Sequence, residues 1–146
     1  MSGHPRIISY LQRAVNHEFN AMQQYTLQGV LADHLGMGGF ATELRKDAQE
    51  EVRHAECFIR AMYALGVTPR AGQPLAPRVG STQAEMLRFG LDTEVEAVRL
   101  YREAAHFCER IGDRVHGELF AGILEDEIRH CRELERQLEA LGARGG

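Results

Sequence analysis

The chain has 146 residues, 44% hydrophobic and 26% charged, with a net charge of −4 and no basic cluster. That balance fits one globular domain, 1–146, with a sizeable core and no nucleic-acid partner. No apolar run reaches the roughly 18 residues of a membrane span, "MSGHPRIISY" lacks the apolar region of a secretory signal, and Cys57, Cys108 and Cys131 show no disulfide spacing, all of which points to a cytoplasmic protein with reduced thiols.

Four long proline-free segments, about 5–35, 40–65, 82–111 and 114–141, carry helical periodicity, and none alternates with the period of two that a half-buried strand needs. Pro5 suits the first turn of the first helix. "GMGG" (36–39) breaks the chain before the second. The connector "GVTPRAGQPLAPRVGS" (66–81) holds three of the four prolines. Thr82 and Glu85 then match a capping box for the third helix, and Asp113 is an N-cap for the fourth. Short loops make the first two helices, and the last two, antiparallel neighbours. A helix of 27 residues is about 40 Å long, and a 16-residue connector reaches roughly 50 Å. The third helix is therefore expected parallel to the second, in an all-α four-helix bundle of two hairpins joined by a long crossover.

The halves repeat. A shift of 76 residues places Leu11 on Leu87, Glu18 on Glu94, Tyr25 on Tyr101, Glu51 on Glu127 and His54 on His130. Such a bundle carries a pseudo-twofold axis. In alternating steps of four and three, the core stripes read Leu11, Val15, Glu18, Met22, Tyr25 in the first helix and Leu44, Ala48, Glu51, Ala55, Phe58, Met62, Leu65 in the second. They read Leu87, Leu91, Glu94, Val98, Tyr101, Ala105, Cys108 in the third and Phe120, Leu124, Glu127, Cys131, Leu134, Leu138, Leu141 in the fourth. Each stripe contains one glutamate near mid-helix, and His54 and His130 flank two of them.

A lone E-x-x-H on a helix usually marks a solvated face. Two such pairs, each with a stripe glutamate 33 residues upstream, do not fit that reading. Burying even one unpaired charge costs several kcal/mol, and like charges add repulsion. Two divalent cations balance four glutamates while the imidazoles stay neutral. Carboxylates and imidazoles without thiolates suit iron or manganese. The H-E-x-x-H of a zinc protease is absent. Tyr25 and Tyr101 lie two turns beyond Glu18 and Glu94, either filling core space, or holding a ligand carboxylate or donating an electron during oxidation. Glu50 and Asp126 read first as solvated charges and second as guides for cations at the mouth of the site, and Arg53 and Arg129 as surface or subunit-contact residues.

Over about 5–142 the residues resemble the bacterioferritin family. The resemblance rests on Glu18, Glu51-x-x-His54, Glu94, Glu127-x-x-His130 and Tyr25. It implies a ferroxidase centre in which Glu18, Glu51, His54, Glu94, Glu127 and His130 hold two iron ions and Tyr25 assists. Fe(II) would be oxidised to Fe(III) by O2 or H2O2, for iron storage or detoxification. The family's haem methionine is replaced by Val52, so no haem is expected by that route. The family's fifth helix builds the fourfold channels of a 24-subunit cage, and this chain ends at "GARGG". The expected assembly is therefore a homodimer or a larger homo-oligomer. The alternatives are a peroxide-reducing or dimanganese catalase-like enzyme, or a metal-stabilised scaffold or cargo protein without catalysis.

Overall fold

Four helices run in the order α1 (Pro5–His34), α2 (Gly38–Ala64), α3 (Gln83–Ile111) and α4 (Arg114–Ala143) in the computed structural model, which describes residues 3–73 and 75–143. Their starts follow from local chemistry. Pro5 occupies the first turn of α1, where its missing N–H costs nothing. The Thr82 hydroxyl accepts from the Glu85 N–H while the Glu85 carboxylate accepts from the Thr82 N–H, so the capping box forms. The Asp113 carboxylate accepts from the His116 N–H and caps α4. The two interhelix turns use Gly36 (φ 79°) and Gly112 (φ 74°), a left-handed backbone that other residues rarely adopt.

α1 packs along α2, and α3 along α4. Across the hairpins, α1 faces α3 and α2 faces α4. Contacts between residues 25 and 94 and between 18 and 101 run α1 antiparallel to α3. Since α1 is also antiparallel to α2, α3 is parallel to α2, as the connector length predicts. α1 acts as the track for that connector. Gln12 exchanges hydrogen bonds with the backbone of Arg70, and Gln28 donates to the Val79 carbonyl four turns further along.

The core forms two apolar clusters. One gathers Leu11, Phe58, Met62, Tyr101 and Phe120; the other gathers Ala21, Tyr25, Leu44, Ala48 and Met86. Burial of each large side chain stabilises the fold by about 1.5–3 kcal/mol. The stripes need one correction. Met22, Leu65, Leu91, Val98, Ala105, Leu124, Leu138 and Leu141 are half-buried, whereas Ala21 and Ala97 are fully enclosed. A helix turns every 3.6 residues, so a stripe written in steps of four and three drifts off the innermost line. Among the described residues, no helix is long and apolar enough to cross a membrane.

Candidate metal centre

Between the two apolar clusters lie four glutamates, one per helix: Glu18, Glu51, Glu94 and Glu127. Each is no more than 1% exposed. Helical spacing places His54 and His130 one turn after Glu51 and Glu127 on the same inward faces. The structure thus brings together all six residues that the sequence singled out. They form two overlapping groups, Glu18, Glu51, His54 and Glu127 in one, and Glu51, Glu94, Glu127 and His130 in the other. Within each group, one candidate ligand atom per residue lies within 4.8 Å of all the others. Glu51 and Glu127 belong to both groups; the other four residues belong to one each.

The hydrogen bonds around the site leave the same atoms free. Tyr25 donates to Glu94 Oε1 at 2.7 Å, and Tyr101 donates to Glu18 Oε1 at 2.5 Å. His54 Nε2 hydrogen-bonds Asp126 Oδ2 at 3.0 Å, whereas His130 Nε2 lies 3.2 Å from Asp47 Oδ2 without hydrogen-bond alignment. After these contacts, Glu18 Oε2, Glu51 Oε2, Glu94 Oε2, Glu127 Oε2, His54 Nδ1 and His130 Nδ1 are buried without a hydrogen-bond partner. Natural proteins seldom leave such atoms unpaired. Here each of the six residues carries at least one, with His130 Nε2 a second on that residue, and the inward-facing ones together could hold two cations.

The electrostatics carry the same strain. Burial, with the Glu94 and Glu18 charges, pushes Glu51 well above the ordinary carboxylate range. Burial pushes Glu18 the same way, but hydrogen bonds with Glu51, His54 and Tyr101 bring it below its ordinary value. Burial lowers His54, yet Glu18 and Asp126 more than offset it and hold the imidazolium to about 9. Burial likewise lowers His130, and Asp47 and Glu94 raise it to about 10. Burial, with the Glu94 and Glu18 carboxylates respectively, raises the Tyr25 and Tyr101 phenols well above their ordinary value, so both remain protonated donors.

A model of the ferritin-like domain matches residues 8–143. The chain belongs to the ferritin-like family. Its relatives include the bacterioferritin of Rhodobacter capsulatus, 33% identical over 149 aligned positions that cover 99% of this chain and 92% of the relative. The bacterioferritin of Brucella melitensis biotype 1 is also 33% identical, over 99% of this chain and 90% of its own length. Among solved structures, R. capsulatus bacterioferritin, described with a metal-free dinuclear site and haem iron, superposes with a TM-score of 0.94 at 32% identity. That match covers 100% of this chain and 91% of the other. This ferritin-like chain is thus a bacterioferritin relative along its whole length.

Two residues around the site escaped the sequence reading. Asp47 had no assigned place, and Asp126 was expected to be a solvated charge. Both are half-buried; Asp126 hydrogen-bonds the outer nitrogen of His54, and Asp47 lies 3.2 Å from the outer nitrogen of His130. Glu50 is also half-buried, 3.8 Å from His54 Nε2. The available signal was spacing, since Asp126 lies one turn before His130 and Asp47 one turn before Glu51. Their actual partners lie across the α2–α4 seam, which intrahelical spacing does not show. Arg53 and Arg129 are exposed, and Arg129 pairs with Asp126.

Proposed function

We propose that this chain is a di-iron ferroxidase that takes up two Fe(II) and oxidises them to Fe(III) with O2 or H2O2, for iron storage or detoxification. The unpartnered donor atoms found on all six residues carry this reading. Glu18 and His54 would hold one ion, Glu94 and His130 the other, and Glu51 and Glu127 would serve both. Four carboxylates and two dications sum to zero charge, which removes the cost of burying the carboxylates alone. Two bound Fe(II) would supply two electrons to one O2 or H2O2, which with two protons would become H2O2 or two water molecules respectively.

The chain's own residues prepare that step. Asp126 and Asp47 orient the two imidazoles from outside, as partners of metal-binding histidines commonly do. Tyr25 and Tyr101 hold one oxygen of Glu94 and one of Glu18. The clusters around Phe58 and Leu44 exclude water from both ends. Iron is the metal of the reading, and manganese is the other metal that this donor set suits. Val52 has no ligand atom, so the reading includes no haem held from that position. The bacterioferritin relatives support the storage role. Free cysteines fit a reducing cytoplasm, and Phe19, Leu27 and Val30, exposed along α1, fit a homo-oligomer.

The test is ferrous oxidation followed by ultraviolet absorbance. The native chain should oxidise Fe(II) rapidly with O2 or H2O2. Glu18→Ala and Glu127→Ala should lose the fast phase and keep their helical circular dichroism. Full activity in both variants refutes the assignment.

A further inference from the structure

We propose that Tyr101 is the positioning residue of one metal half-site, that Tyr25 is its counterpart in the other, and that the two phenols together keep the half-sites matched in affinity. This rests on the two-metal reading above and deepens it. Tyr101 is fully buried on α3 and donates to Glu18 Oε1 at 2.5 Å. Tyr25 is fully buried on α1 and donates to Glu94 Oε1 at 2.7 Å. Each hairpin therefore reaches across to hold the other's glutamate. Both held glutamates keep Oε2 unpartnered.

The distribution of the phenols separates two kinds of carboxylate. Glu18 and Glu94 belong to one ligand group each, and both carry a phenol. Glu51 and Glu127 belong to both groups, and neither tyrosine hydroxyl bonds to them. A carboxylate's last torsion is broad, so a ligand at one end of the site could swing or bind through both oxygens. A phenol on one oxygen removes that freedom and leaves one oxygen for the ion. A carboxylate shared by two ions is fixed by the ions themselves and needs no such hold.

Packing fixes the phenols in turn. The Tyr101 ring lies 5.2 Å from Phe58 and 6.3 Å from Phe120, centroid to centroid. Tyr25 is admitted by Gly90, where an added Cβ would stand 3.4 Å from the Tyr25 ring. Phenylalanine would fill the same space at either position, so core packing alone does not call for the hydroxyls.

Anaerobic titration with Co2+, followed by visible absorption and chelator competition, separates these roles without reference to activity. The native chain should bind two ions with one affinity. Tyr101→Phe should split the isotherm, leaving one ion unchanged and weakening the other about 10–100-fold, the usual effect of losing a ligand's hydrogen-bond partner. Tyr25→Phe should produce the same split. The double variant should restore a single phase in which both ions are weak. A Tyr101→Phe isotherm like the native one, or two equally weakened ions, overturns the positioning role. A native isotherm that is already split overturns the matching. A native chain that binds no Co2+ overturns the two-metal reading itself, a result distinct from the others.

Discussion

His54 Nδ1 lies 3.0 Å from Glu127 Oε1 across the seam between α2 and α4, close enough to pair but without hydrogen-bond alignment. The seam is lined with ionisable groups, and His130 meets Asp47 on it in the same way. Without metal, its attraction depends on protons carried by the two histidines.

Stability of the metal-free chain should therefore fall with rising pH. An unfolded histidine titrates near 6.5, whereas His54 is held to about 9 and His130 to about 10. A raised folded pKa gives stability that is fully present below about 6.5 and is lost as pH rises through about 9 to 10. Glu51, also raised, acts in the same direction. Thermal unfolding of chelator-treated protein should show Tm dropping from pH 6.5 to pH 10. A flat profile would argue against charged histidines in the apo site.

Binding should reverse that dependence. Metal ligands must be deprotonated, so uptake should release protons from His54 and His130, and affinity should rise with pH over the same window. Titration calorimetry in buffers of different ionisation enthalpy reads this release. An exchange of no protons at pH 7 would contradict it.

Removing one carboxylate should stabilise the apo chain while disabling it. Glu51→Gln keeps the volume and removes one buried acid from a group of four. Burial and the Glu94 and Glu18 charges disfavour the Glu51 carboxylate, and an amide escapes that penalty as pH rises. The variant should show a higher apo Tm and weakened binding of both ions, because Glu51 belongs to both groups. A lower Tm would mean that the carboxylate supports the fold.

Much of this was legible before the structure. Pro5, the Thr82–Glu85 box and Asp113 mark helix starts by local rules, and each forms as expected. The four glutamates were legible because a charge inside an apolar stripe violates the pattern around it. The roles of Asp47 and Asp126 were not. Both lie at the rim of the stripe, where a carboxylate needs no explanation, and only the approach of α2 to α4 pairs them with histidines. Tyr101 was visible as the repeat of Tyr25, but its bond to Glu18 depends on how α3 meets α1.

Assembly is read from α1. Val30 is 64% exposed, with Phe19 and Leu27 on the same face. Val30→Glu should shift the native chain to a smaller species in size-exclusion chromatography while retaining its helicity. A native chain that already elutes as a monomer would remove the oligomer from the account.

The central claim is a site for two ions, and anaerobic Fe(II) titration tests it most directly. Binding should saturate at about two ions per chain, and admitted O2 or H2O2 should then produce a rapid ultraviolet ferric signal. Saturation at no ions, or ferric formation no faster than in protein-free buffer, would contradict it.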